Sequence, residues 1–174
     1  VLNAARSHFA RDGYDGTTIR AIAATARVDP ALVMQFYGSK EGLFAAVLRD
    51  FADLDDAVHA AVKGAIVRRG ERFARASLEP WEHPIRGKSL RSLVRATIGS
   101  PRTVGPFQVE LKASLSRSGI PQRMRSRYLL AASQLLGVAI ARYILEVPAL
   151  VAMSTDELVK LVAPAVDAQL GKGR

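Results

Sequence analysis

The side chains in this sequence best suited to chemistry are hydrogen-bonding and cationic groups crowded between residues 17 and 40: Thr17, Thr18, Arg27, Gln35 and Lys40. Hydroxyls, a guanidinium and an ammonium can donate to phosphate oxygens, and the amide of Gln35 can pair with adenine through two hydrogen bonds. Bond-making chemistry finds no comparable set. There is no cysteine, which excludes thiolate nucleophiles, thiolate metal sites and disulfides. His8, His59 and His83 are scattered rather than spaced as metal ligands. No glycine-rich phosphate loop follows a strand, and no Gly-x-Ser-x-Gly elbow occurs. The residues point to recognition rather than catalysis, and neither a cofactor nor a metal is expected.

Recognition of that kind needs short helices held at a sharp angle. Leu2, Ala5 and Phe9 recur at three and four residues and mark a first helix that stops by Gly13. Thr17 or Thr18 caps a second helix with Ile19, Ile22, Ala23 and Ala26 on its apolar face, and Arg27-Val28 forms a tight corner. Asp29-Pro30 is a strong helix start, a capping carboxylate followed by a proline where no N–H is needed. The short third helix carries Ala31 to Tyr37 and ends at Gly38; Ser39 caps a fourth, expected to run to about residue 62. Two short helices at an angle between longer ones define a helix-turn-helix head. Its third helix offers Gln35 to base edges, Ala31 and Val33 to thymine methyls, and Phe36 and Tyr37 to the same surface.

The rest of the chain also reads as helical, giving an all-α protein of about nine helices: a three-helix head over 1–46 and a regulatory and dimerisation domain over 47–174. Residues 65–79 and 89–98 carry helical patterns, while Pro80 to Pro84 reads as a loop because each proline disfavours a helix through it. The longest helix is expected over 122–146, and Ser154 with Glu157 forms a capping box for the last, which Pro164 should kink or split. These two helices carry more apolar surface than one core absorbs. Leu136, Gly137, Ile140, Ala141 and Ile144, with Leu158, Val162 and Val166, are therefore the candidate homodimer seam.

The formal net charge is +9, but its placement is uneven. Residues 1–60 hold six Lys and Arg against eight Asp and Glu, whereas residues 61–127 hold fifteen against four. The positive excess therefore lies outside the segment assigned to recognition. The apolar stretch near 135–151 is interrupted by Arg142, Glu146 and Pro148, so no membrane span is expected, and a cytoplasmic location is.

The ordered run Leu2-Asn3-Ala4-Ala5, Phe9, Gly13-Tyr14, Thr17-Thr18, Ile22-Ala23, Val28, Pro30 to Val33, Tyr37 and Ser39 to Leu43 resembles the DNA-binding domain of the tetracycline-repressor (TetR) family. The remainder resembles that family's C-terminal domains more loosely, through helix order and the Gln134 to Tyr143 segment. The resemblance implies a homodimer that binds a palindromic double-stranded operator through the helix at 30–36 and is released by a small-molecule effector. It also implies that Lys40 meets a phosphate and that one of Thr17 and Thr18 caps while the other can meet a phosphate. Three positions depart from the pattern: Met34 stands where the family usually has Tyr, Arg27 where it has the corner glycine, and Asp29 where it has a small hydroxyl cap. Trp81, His83, Phe107, Glu110 and Tyr128 are the candidate effector-pocket residues, as polar or aromatic groups among apolar middle helices. The competing expectation is a constitutive DNA-binding or protein-interaction module without effector control.

Overall fold

A computed structural model describes residues 1–50, 52–63 and 67–171, which contain eleven α-helices and one short 3-10 turn. The helices are α1 (Leu2–Gly16), α2 (Ile19–Ala26), α3 (Pro30–Tyr37), α4 (Lys40–Arg49), α5 (Ala52–Lys63), α6 (Arg69–Glu82), α7 (Arg86–Ile98), α8 (Val104–Arg117), α9 (Gln122–Tyr143), α10 (Pro148–Val151) and α11 (Thr155–Leu170). The 3-10 turn spans Pro101–Thr103, between α7 and α8. The count exceeds nine partly because the helix expected to reach residue 62 is two helices, α4 and α5, and because Pro148 starts a short helix of its own. Of the helix expected over 65–79, residues 65 and 66 lie outside the described part, 67 and 68 form a turn, and 69–79 belong to α6.

The chain divides into two compact units. The first joins residues 1–52 to 88–114, so the helix-turn-helix head is built together with most of α7, the 3-10 turn and most of α8. Its core is Ala5, Phe9, Tyr14, Ile22, Ala23, Val33, Leu43, Phe44 and Val47, completed by Leu93 and Ala96 of α7. Phe9 and Phe44 meet edge to face at 5.0 Å, Tyr14 and Phe44 at 5.2 Å, and Phe9 stacks on Tyr14 at 5.8 Å. The two pairs with Phe44 tie α1 to α4, and all three contribute beyond their area burial. The head's three caps come from the residues whose chemistry suits them. Thr18, Asp29 and Ser39 accept the N–H groups of Ala21, Ala31 and Gly42 at 3.1, 2.7 and 3.0 Å. Arg27 does occupy the left-handed region, at φ 56 and ψ 46, where glycine would sit without strain.

The second unit comprises 53–87 and 115–174 and is organised by α6, which packs on α11 and α9. Gly70 lets the start of α6 lie directly on α11: a Cβ there would stand 2.4 Å from the Ala163 carbonyl oxygen, and the Gly70 N–H donates to Asp167 at 2.6 Å. Contrary to the loop expected from Pro80, α6 continues through Pro80 and Trp81 to Glu82. Pro80 falls in the last turn, so little of the helix is lost, and the turn is held by side chains beyond it. Trp81 is buried and stacks on Tyr143 at 5.6 Å, and Glu82 accepts hydrogen bonds from Tyr143, Thr155 and Arg142 at 2.7, 2.8 and 3.2 Å. Pro164 likewise sits on the exposed side of an α11 that runs unbroken to Leu170.

Arg142 is the hub of this unit. It is nearly buried, and its guanidinium donates to the carbonyls of Leu150 and Met153 as well as to Glu82. Replacing Arg142 by Ala would strand those acceptors, and we expect a loss of about 2–4 kcal/mol. Urea unfolding checks this, as a lower midpoint at unchanged slope.

Candidate nucleic-acid interface

The short α3 places one face in the core and the other in solvent, which divides the residues expected to read bases. Ala31, Gln35 and Phe36 are exposed, and Phe36 keeps 76% of its surface accessible. Leu32 and Met34 are also exposed, an apolar surface large for a helix of eight residues. Val33 is a correction: at 1% exposure it belongs to the core beneath the helix and cannot meet a thymine methyl. Tyr37 is half-buried at the end of α3.

The two threonines separate in the same way. Thr17 is 1% exposed and its hydroxyl donates to the Gly13 carbonyl at 2.7 Å, so it holds the α1–α2 corner and is turned away from any phosphate. Thr18 is exposed, and while its oxygen caps α2 its proton remains free to donate. Arg20, two residues further along α2, is exposed as well and was not singled out from the sequence. A cation opposing the dipole in the first turn of a capped helix is the signal that marks it.

Lys40 opens α4. Its ammonium lies 4.4 Å from the centre of the Tyr14 ring and 3.5 Å from the Asp15 carbonyl oxygen. Burial lowers its pKa and the Arg102 charge adds to that, against the opposing pull of Asp15 and Glu41. The Tyr14 hydroxyl donates to Glu41 at 2.7 Å, and that bond is the main cause of the lowered Glu41 pKa. Lys40 is thus pre-positioned by an aromatic face and a carbonyl. Arg27, at the left-handed corner, is exposed.

The five candidate pocket residues are spread over both units. In the first, Phe107 is 40% exposed and Glu110 accepts a hydrogen bond from Arg49 at 3.2 Å. In the second, Trp81 stacks on Tyr143, and Tyr128 lies between His59 and Phe73 at 5.6 and 5.5 Å. The His83 ring nitrogen accepts the Ile85 and Arg86 N–H groups.

Of the seam residues, Leu136 and Gly137 are exposed and Ile140, Ala141, Ile144 and Val162 partly so. Leu158 and Val166 are 3% and 0% exposed within the protomer, which corrects their assignment to a surface. The apolar face of α11 is carried instead by Leu161 and Ala165. Among the described residues there is no group of three or more His, Cys, Asp or Glu able to hold a metal, and no helix long and apolar enough to cross a membrane.

The short, capped α2 and α3, set between α1 and α4, form a helix-turn-helix head. Residues 1–47 match the profile described as bacterial regulatory proteins, tetR family, and residues 68–170 match that of the tetracyclin repressor-like C-terminal domain. The chain is similar to a TetR-family regulator from Streptomyces coelicolor A3, with 33% identity, a TM-score of 0.73, and coverage of 97% of this chain and 91% of that one. The same fold recurs in a chain of that family from Mesorhizobium loti MAFF303099 (22% identity, TM-score 0.56, coverage 97% and 92%). It recurs again in PfmR from Thermus thermophilus (17% identity, TM-score 0.54, coverage 98% of both). No curated protein matches the sequence. The chain belongs to the TetR family of transcriptional regulators.

Proposed function

We propose that this protein is a ligand-responsive transcriptional repressor that binds a palindromic operator as a homodimer. The observation that carries the proposal is the exposed face of α3 with Gln35 on it, accompanied by the exposed Thr18 hydroxyl and the partly exposed Lys40 ammonium, donors suited to phosphate. The head over 1–46 reads DNA; the remainder dimerises, senses a small molecule and operates in the cytoplasm. Two heads come from two copies joined along α9 and α11, which pack on each other within the protomer and leave Leu130, Leu136, Gly137 and Leu161 exposed. The small surface of Gly137 and Ala141, four residues apart, suits close approach of a partner helix.

Two substitutions test the DNA reading. Gln35→Ala should cost about 1–3 kcal/mol on the preferred operator and little on random duplex, because base contacts carry discrimination. Lys40→Ala should weaken binding to both DNAs alike and reduce the salt slope by about one per bound head. Fluorescence anisotropy across a salt series reads both. Equal loss on both DNAs for Gln35→Ala, or an unchanged slope for Lys40→Ala, contradicts the respective role. Titration calorimetry against small organic acids and amphiphiles separates effector control from constitutive binding, through ligand-dependent loss of operator affinity.

A further inference from the structure

The helix-turn-helix head is poorly charged for its task. Residues 1–46 hold five Lys and Arg against four Asp and Glu, close to balance, and a protein that binds DNA must neutralise phosphates with cations. The structure supplies the missing charge from another part of the chain. Residues 88–114, which fold into one compact unit with the head, bring five Lys and Arg against a single Glu.

One of these cations reaches the corner between α1 and α2. The Arg102 guanidinium donates to the Asp15 carboxylate at 3.4 Å, while Lys40 donates to the carbonyl of the same residue at 3.5 Å. Asp15 lies just before Thr18 and the start of α2, whose first N–H groups have no acceptor within the helix. Arg102 and Lys40 therefore flank one corner, next to the hydroxyl and amides that suit an anionic oxygen. The Arg102 side chain remains 72% exposed in spite of its ion pair.

Its platform is rigid. Ser100 caps the 3-10 turn by accepting the Arg102 N–H at 3.3 Å, and Pro101 fixes the first turn residue. Thr103 is fully buried, with its hydroxyl 2.6 Å from the carbonyls of both Thr97 and Ser100. The turn packs on α4, the helix that carries Lys40.

Resting on the DNA-binding reading above, we infer that Arg102, outside the helix-turn-helix head, is a phosphate contact that forms a two-cation clamp with Lys40 at the start of α2. In the free protein Asp15 holds the guanidinium; on DNA the phosphate, itself anionic and bidentate towards guanidinium, takes it over. Asp15 is then a competitor that lowers affinity until DNA displaces it.

The test is duplex binding by the full chain, measured from low to moderate salt on operator and random DNA. Arg102→Ala should weaken both on the order of three- to tenfold and reduce the salt slope by about one per bound head. Arg102→Lys should restore the slope, because the charge is kept. Asp15→Asn should tighten binding in the wild-type background and do so less in Arg102→Ala. A lower melting temperature for Arg102→Ala with an unchanged salt slope would show that the pair only braces the turn, and would overturn the proposal. Arg102→Ala failing while Lys40→Ala lowers the slope refutes the clamp alone. No salt-dependent binding by the wild-type chain refutes the DNA reading itself.

Discussion

Replacing Gly42 by Ala is expected to lower operator affinity at least about tenfold, the equivalent of about 1.4 kcal/mol, and to destabilise the head as well. Gly42 is in the first turn of α4, where its N–H is taken by the Ser39 hydroxyl at 3.0 Å. A Cβ at this position would lie 2.1 Å from the carbonyl oxygen of Tyr37 and 3.3 Å from its carbon. Both are backbone atoms of the last residue of α3, so no side-chain rotation relieves the clash. The two helices must move apart, and α3 carries Gln35 while α4 carries Lys40. Overpacking of a fixed contact costs about 1–3 kcal/mol, and the displaced geometry adds the loss of DNA complementarity. Gly16→Ala is the control, since its Cβ would meet only the Asp12 Cβ at an ordinary 3.5 Å. Thermal unfolding and anisotropy should show Gly42→Ala impaired in both and Gly16→Ala close to wild type. A Gly42→Ala protein that melts and binds like the wild type would contradict the packing of α3 on α4.

The second large effect is expected at Gly137, with the opposite logic. A Cβ there meets nothing within 4 Å, and Gly137 is exposed, so a side chain can leave the protomer surface at this position. If α9 and α11 form the dimer seam, Gly137→Arg buries a charge against its symmetry mate and costs several kcal/mol across the interface. The expected product is a monomer of unchanged helicity that has lost tight binding to a palindromic site, because each head then binds alone. Light scattering with circular dichroism reads the outcome. A helical dimer that persists in Gly137→Arg places the seam elsewhere.

Features set by local chemistry were legible in the sequence. The caps at Thr18, Asp29, Ser39 and Ser154 each depend on a side chain and backbone N–H groups within three residues, and the capping box of Ser154 with Glu157 forms as its spacing implies. The limits appear where a face or a distant partner decides. α3 has eight residues, too few turns for periodicity to tell the buried Val33 from the exposed Gln35. Thr17 and Thr18 are adjacent and chemically alike, and only the Gly13 carbonyl above Thr17 distinguishes them. Pro80 reads as a helix breaker, but the stacking of Trp81 on Tyr143 and the bonds of Glu82 come from residues more than 60 positions away. The Arg102–Asp15 pair spans 87 positions, and the joining of α7 to the head's core likewise has no local signature.

The most direct measurement of the central claim is selection of binding sites from a random duplex pool by the wild-type chain. A dimer with two α3 helices should enrich a palindrome with half-site centres about one helical turn or more apart, and Gln35→Ala should relax the preference within each half-site. Failure to enrich any sequence over the starting pool, or enrichment of a single asymmetric site by a monomer, would contradict the account.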